Sequence, residues 1–286
     1  MEYPGRFISS EDWKRNFSEG DAVVSIGRHR WSSIDSDPNS RVSRGSRQST
    51  ISKVLVTPPI EDRVELILSY CREKRVLDIG CVHLLTEVNK DKWLHRRIRD
   101  VADSCIGADI NAEGVDRMNA LGYEAVVLDM GNENISSQKY GLFDVIVAGE
   151  ILEHMDKPGN LFANASNLLS ESGVLILTTP NPYVWRRIVA AKMSQLVESV
   201  DHVFYAYPSG IVEYGERSGL RVQMITTVSS YSLARAFREV VAFISKSLSK
   251  QLKGHNAGGQ ANTPTGRTGL RALLDVVGSD WSDLPV

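Results

Sequence analysis

Two short stretches of the chain decide its fold: residues 75–80, RVLDIG, and residues 104–110, SCIGADI. Each is an apolar run of strand length that ends in an acidic residue or a glycine, and the two ends lie about 30 residues apart. Outward from them, further short apolar runs alternate with helical segments, which predicts an α/β fold with a doubly wound, mostly parallel sheet. The predicted strands are 75–79, 105–109, 125–128, 143–148, 174–178 and 222–226, and the predicted helices include 85–102, 112–121 and 161–169.

The composition is that of a globular protein. Of the 286 residues, 42% are hydrophobic and 24% are charged, which excludes a disordered or fibrous chain. The net charge of −2 gives no reason to expect nucleic acid as an obligate partner. Three cysteines without CxxC spacing indicate neither a disulfide framework nor a cysteine zinc site. We therefore expect a cytoplasmic protein without a signal peptide or a transmembrane segment.

Changes in residue pattern predict four parts along the chain. Residues 1–56 form an N-terminal extension that we expect to be partly disordered, because residues 28–53 are rich in Ser and Arg and show no periodicity. Residues 57–230 form the packed domain, which opens with a helix after the Pro58–Pro59 pair. Residues 231–253 carry the apolar stripe of an amphipathic helix. Residues 254–286 form a linker and tail.

Acidic residues and glycines follow three successive predicted strands. In a doubly wound sheet, ligands bind at the carboxyl ends of the strands. A carboxylate after the second strand can accept hydrogen bonds from both hydroxyls of a ribose, and one after the third can meet an exocyclic amine. The sequence therefore predicts a nucleoside-binding site formed by Asp78, Gly80, Cys81, Asp109, Ile110, Asp129 and Met130.

These motifs carry a resemblance to a known family. VLDIGC, GADI, VLDM and FDVIVAGEILEHMDKPG, in this order and spacing, resemble class I S-adenosylmethionine-dependent methyltransferases of the type 11/23 group over roughly residues 58–227. The resemblance implies a Rossmann-like fold, Asp78 and Gly80 near the methionine moiety, Asp109 on the ribose and Asp129 toward adenine. An NAD-binding domain would require GxGxxG, which this chain lacks.

The cofactor loop departs from the family pattern. Most members have GCGxG, whereas this chain has Gly80-Cys81-Val82-His83-Leu84. Close backbone approach to a cofactor then depends on Gly80 alone. The chain is similar in this respect to a bacterial subset, often found alongside glycan-modifying enzymes, that has GCV here and a Trp-Leu-His downstream, as in Trp93-Leu94-His95.

A second group of polar residues follows the fourth of these strands. On a helical turn Glu150, Glu153 and His154 face one point, and two carboxylates with an imidazole can hold a divalent cation such as Mg²⁺ or Mn²⁺. The series ExxEH, TPN and DH resembles ubiquinone-biosynthesis O-methyltransferases and small-RNA 3′-terminal 2′-O-methyltransferases, which implies Glu150, Glu153, His154 and His202 as ligands. Alternatively, no metal binds, and His154 or His202 removes a proton from the acceptor as a general base.

The predicted function is methyl transfer from S-adenosylmethionine to a small-molecule or glycan acceptor, at oxygen, with His154, His202 and Glu150 at the acceptor. Two alternatives stay open: methylation of an RNA 2′-hydroxyl, and a non-catalytic scaffold with the same fold. The apolar and basic residues between 184 and 197 favour a lid over the acceptor pocket, with peripheral membrane contact as the alternative. The sequence does not determine the oligomeric state.

Overall fold

The structure is a computed structural model that describes residues 35–60, 62–82, 92–132, 135–192, 196 and 198–228, all within the compact unit Met1–Ser232. The predicted helix over 231–253 and the linker and tail over 254–286 lie outside these residues. The described helices are α1 (Arg41–Val54), α2 (Arg63–Cys71), α3 (Leu94–Arg99), α4 (Ala112–Ala120), α5 (Ser137–Tyr140), α6 (Pro158–Leu168), α7 (Trp185–Lys192) and α8 (Pro208–Arg217), with a 3₁₀ turn at Leu152–His154. The strands are β1 (Leu55–Ile60), β2 (Arg75–Ile79), β3 (Ser104–Asp109), β4 (Glu124–Val127), β5 (Phe143–Gly149), β6 (Leu169–Thr178) and β7 (Ile225–Val228).

Five strands form one parallel sheet in the order β4-β3-β2-β5-β6. The chain builds outward from β2 in one direction through β3 and β4, and then continues with β5 and β6 on the other side of β2. The order therefore reverses between β2 and β5, which is where ligands bind in folds of this type. The predicted doubly wound α/β sheet is confirmed. β1 and β7 pair in parallel as a separate two-stranded sheet.

Both faces of the sheet are covered by helices. Strand residues that alternate along the chain point to opposite faces, so Leu77 and Ile79 join one core cluster while Val76 joins another. α6 and α8 pack on the first face, and α2 and α3 pack on the second. A third, smaller cluster contains Cys81, Trp93, Val115, Met118 and Ala125.

The N-terminal side of the domain contains a helix that the sequence pattern does not reveal. α1 spans Arg41–Val54, where the residues show no helical periodicity. It is held by tertiary ion pairs: the Arg47 guanidinium bonds to the carboxylates of Glu213 and Glu216 on α8. An apolar stripe is therefore not what positions this helix, so a search for such a stripe misses it.

Several element boundaries differ from the prediction. β6 begins at Leu169 rather than at residue 174, because residues 169–173 continue in extended conformation after α6. β7 begins at Ile225 rather than at residue 222. The predicted helix over 85–102 is seen as Leu94–Arg99, and its first part lies outside the described residues. No helix in the described ranges is long and apolar enough to cross a membrane.

Candidate active site

The carboxyl ends of β2 and β5 meet at the point where the strand order reverses. Gly80 follows β2 in a left-handed conformation with φ of 73°, and its N–H donates to the Ala108 carbonyl at 2.8 Å. A Cβ added at Gly80 would lie 2.1 Å from Cδ1 of Ile151. Conformation and space thus both require glycine here, as the sequence analysis predicts for the cofactor turn.

Asp109 joins this turn to the end of β3. Its Oδ2 accepts a hydrogen bond from the Val82 N–H and its Oδ1 accepts one from the Asn111 N–H, both at 2.9 Å. Each oxygen keeps a second lone pair for another donor. Ile110, the next residue, is 73% exposed, which is unusual for a large apolar side chain beside a carboxylate. The pair suits a ribose with its planar base; a ribose contact is the role predicted for Asp109, and Ile110 is predicted only to lie at the cofactor.

The other predicted donor-site residues differ in what they can offer a ligand. Asp129 is exposed, and its Oδ1 accepts from the Gly131 N–H at 2.7 Å, so it keeps acceptor capacity. The side chains of Cys81 and Met130 are both 2% exposed and pack in the core. Contact of Cys81 or Met130 with a cofactor would therefore involve their main chains.

Asp78 lies in the interior rather than in the open turn. It is 3% exposed, and its Oδ2 lies 3.0 Å from Nδ1 of His95, which is also buried. Burial raises the pKa of this carboxyl, and the bond to His95 opposes that rise. The family resemblance implies Asp78 near the methionine moiety, whereas the structure places its carboxylate against His95. Nothing in the sequence pattern indicates this pair, because the two residues lie on different elements.

Three predicted acceptor-site residues come together after β5. Ligand atoms of Glu153, His154 and His202 lie within 4.8 Å of one another. Glu153 is 1% exposed, and its Oε2 accepts from the Thr179 hydroxyl at 3.0 Å. Burial, with a smaller contribution from Glu150, raises the pKa of Glu153. Thr179 belongs to the TPN motif, so this contact has a signal in the sequence.

A carboxylate orients the imidazole of His154. Asp201 Oδ2 lies 3.1 Å from Nδ1 of His154, and the His154 and His202 rings meet edge to face with centroids 4.8 Å apart. A hydrogen bond from Ser199 lowers the pKa of Asp201, so Asp201 is ionised at neutral pH. With Nδ1–H donating to Asp201, Nε2 of His154 is the proton acceptor. Asp201 was not predicted as a functional residue, although it directly precedes His202 in the sequence.

Glu150, the fourth predicted ligand, lies outside this cluster. Its φ is 56°, and its N–H donates to the Thr178 carbonyl. Its Oε1 accepts from Nη1 of Arg63 at 3.0 Å, and the same Arg63 nitrogen donates to the Thr178 hydroxyl at 2.8 Å. The left-handed backbone interrupts the regular helical turn that the sequence analysis assumed, so the carboxylate of Glu150 is turned toward Arg63.

The cluster of Glu153, His154 and His202 fits a divalent cation. Oε1 of Glu153 and Nδ1 of His202 are both buried, and neither has a hydrogen-bond partner within the described part of the chain. Buried polar atoms without partners are costly, and a cation would satisfy both. A carboxylate with two imidazoles is also a chemically suitable donor set.

Comparisons with known proteins identify the family. The profile of the family described as "Methyltransferase domain" matches residues 58–237. Ubiquinone biosynthesis O-methyltransferases of Aeromonas salmonicida and Nitrosococcus oceani are 28% and 26% identical over 58% and 63% of this chain, and over 70% and 80% of their own lengths. A solved S-adenosylmethionine-dependent methyltransferase of Archaeoglobus fulgidus is 19% identical, aligns over 62% of this chain and 70% of its own, and has a TM-score of 0.42. Because the family profile covers more than half of the chain, this protein belongs to the methyltransferase domain family and is an S-adenosylmethionine-dependent methyltransferase.

Proposed function

We propose that this enzyme methylates a hydroxyl oxygen of a small-molecule or glycan acceptor. The observation that carries the proposal is the cluster of Glu153, His154 and His202 with its Asp201 partner, located after β5. Such a cluster can receive a hydroxyl and take its proton. The names of the curated relatives, which are O-methyltransferases, support oxygen as the methylated atom.

The donor would bind where β2 and β3 end. Asp109 would accept hydrogen bonds from the ribose hydroxyls, Ile110 would pack against the adenine face, and Asp129 would meet its amino group. Gly80 would allow the methionine moiety to approach the backbone. These residues hold the donor in place and take no part in bond making, because the leaving group is the sulfur of the sulfonium itself.

The transfer itself requires one proton to move. The acceptor oxygen attacks the methyl carbon, the carbon–sulfur bond breaks, and its electron pair stays on sulfur, which gives S-adenosylhomocysteine. The hydroxyl proton passes to Nε2 of His154, whose other nitrogen is held by Asp201. The adjacent carboxylate stabilises the imidazolium that forms.

A divalent cation would be held by Glu153, His154 and His202. When bound, it would act as a Lewis acid that polarises the acceptor hydroxyl. Nε2 of His154 can serve either as a metal ligand or as the base, but not as both at once, because each role uses the same lone pair. Activity that requires Mg²⁺ or Mn²⁺ therefore indicates the ligand role, and activity that persists with chelator indicates the base role.

The proposed donor site can be tested by calorimetric titration of the full chain with S-adenosylhomocysteine. We expect Asp109→Ala to weaken binding about 30-fold, since it removes charge-assisted hydrogen bonds. Asp116→Ala, an exposed carboxylate on α4, is the matched control and should bind like the wild type. Equal affinities of wild type and Asp109→Ala would refute this donor site, and no binding at all would favour the scaffold alternative.

A further inference from the structure

Val82 occupies a position of the cofactor loop where most family members have glycine, and the structure shows how it and the preceding Cys81 fit. A Cβ at Gly107 on β3 would lie 2.6 Å from Sγ of Cys81, and one at Gly114 on α4 would lie 2.3 Å from Cγ1 of Val82. Because Gly107 and Gly114 have no side chains, they leave space beside the loop. The side chains of Cys81 and Val82 fill that space.

The peptide between Cys81 and Val82 is fixed at both of its polar groups. Its carbonyl, on Cys81, accepts from Nε1 of Trp93 at 2.9 Å in a buried position. Its N–H, on Val82, donates to the Asp109 carboxylate. A glycine would let this part of the loop adopt several conformations. Here the two hydrogen bonds hold the peptide in one orientation.

Trp93, which directly precedes α3, is itself held by two neighbouring rings. Its ring lies edge to face with Tyr123 at 4.8 Å between centroids and tilted to His95 at 5.4 Å. His95 bonds to Asp78, two residues before Gly80 on the strand that carries the loop. The His95–Asp78 pair thus ties the first turn of α3 to the end of β2, and Trp93 is aimed at Cys81.

We propose that Trp93 and His95 are positioning residues for S-adenosylmethionine, which fix the Cys81–Val82 peptide and through it the Asp109 carboxylate. Neither residue contacts the donor: Trp93 acts through the Cys81 carbonyl and His95 acts through Asp78. The inference rests on the proposed placement of the donor at Gly80 and Asp109. It explains how a chain without GCGxG presents an ordered donor site.

The first test replaces Trp93 by Phe, which keeps an aromatic ring and removes the indole N–H. We expect the Kd of the full chain for S-adenosylhomocysteine to rise about tenfold, because the Cys81 carbonyl loses its donor. Ile98→Val, on the same helix but in a different core cluster, is the control that lowers stability without weakening binding. An unchanged Kd in Trp93→Phe overturns this inference but not the proposed donor site. If the wild type does not bind S-adenosylhomocysteine, both the inference and the proposed donor site are overturned.

His95 is tested by the difference between two substitutions. His95→Leu leaves the Asp78 carboxylate buried without its partner, so we expect weaker binding than in Trp93→Phe. His95→Asn places an amide N–H near the position of Nδ1 and should recover most of the affinity. If His95→Asn and His95→Leu bind equally poorly, hydrogen bonding to Asp78 has no positioning role.

The fit between Val82 and Gly114 gives a third test. Gly114→Ala favours helix α4 but brings a methyl group against the stiff Val82 side chain, so the loop must move. We expect about tenfold weaker binding of S-adenosylhomocysteine, and recovery when Val82→Gly is added. Normal binding by Gly114→Ala, or no recovery in the double variant, would contradict the role assigned to this packing.

Discussion

At the scale of single residues, burial decides the chemistry of Glu153. Its carboxylate is enclosed, and one oxygen has no hydrogen-bond partner in the described ranges. A buried carboxylate without a cation favours its protonated form. The proposed function of Glu153 as a metal ligand therefore opposes its contribution to the stability of the metal-free protein.

This opposition predicts two effects of Glu153→Gln. Binding of Mn²⁺, measured by calorimetry, should weaken at least tenfold, whereas Glu150→Gln should bind within about threefold of the wild type because Glu150 pairs with Arg63. Mn²⁺ affinity of the wild type should also rise with pH, since a ligand carboxylate must be ionised. Equal loss of affinity in both variants would show that Glu150 is a ligand after all.

The second effect concerns stability without metal. The pKa of Glu153 in the folded state lies above its ordinary value of 4.5, so the folded chain holds more protons than the unfolded chain above that pH. The favourable contribution of the protonated group is present below pH 4.5 and is lost as pH rises through the folded pKa. Glu153→Gln should therefore unfold at a higher temperature than the wild type at pH 7, with the difference shrinking toward pH 4.5. A variant that is less stable at every pH would contradict this.

At the scale of elements, α1 shows how a helix can depend on charge rather than on an apolar stripe. Arg47 bonds to Glu213 and Glu216 on α8, and the three side chains are largely shielded from solvent. Removing one partner of a shielded pair costs more than removing one of an exposed pair, because the remaining charge is left poorly solvated. The ion pairs explain why α1 packs on the domain although its sequence looks like that of an extension.

We expect Arg47→Ala to loosen α1 without unfolding the sheet. Loss of the ion pairs should cost about 1 kcal/mol, so amide hydrogen exchange in α1 should be about fivefold faster while β2 and β5 stay protected. Lys53→Ala, an exposed lysine on the same helix, is the control and should leave exchange unchanged. Raising the salt concentration should reduce the difference between wild type and Arg47→Ala. Faster exchange throughout the sheet would mean that α1 is part of the cooperative core.

At the scale of the whole molecule, the proposed donor site connects the two halves of the sheet. Gly80 lies at the end of the central strand β2, Asp109 at the end of β3, and Ile151 contacts Gly80 from the end of β5. A ligand in this position would contact residues that follow strands on both sides of the point where the strand order reverses. Its binding energy would therefore stabilise the cooperative unit rather than one element.

Thermal unfolding of the full chain tests this. S-adenosylhomocysteine at one hundred times its Kd should add about 2.7 kcal/mol to the free energy of unfolding. For a domain of this size that shift corresponds to about 5–10 °C in Tm. Asp109→Ala at the same concentration should shift far less. A Tm that does not move in a protein that binds by calorimetry would show that the site unfolds separately from the sheet.

The sequence by itself determined the five strands of the main sheet and their parallel arrangement, because strand length and alternation with helices are local properties. It also indicated Glu153 and His154, since turn residues after a predicted strand lie at a known edge of the sheet. His202 was indicated only by the resemblance to other O-methyltransferases. The sequence did not reveal β1, which contains the Pro58–Pro59 pair that predicts a helix start. It also did not reveal α1, whose stabilisation comes from residues far along the chain.

Only the tertiary structure decided which polar side chains meet. His95 pairs with Asp78, and Asp201 pairs with His154. Glu150 pairs with Arg63 and therefore lies outside the cluster of Glu153, His154 and His202. These contacts join residues from different elements, and nothing in local spacing encodes them. Each depends on how elements pack and on one backbone angle, the left-handed φ of Glu150, which a helical pattern cannot show. The family is therefore evident from the sequence, whereas the arrangement of the site follows from packing.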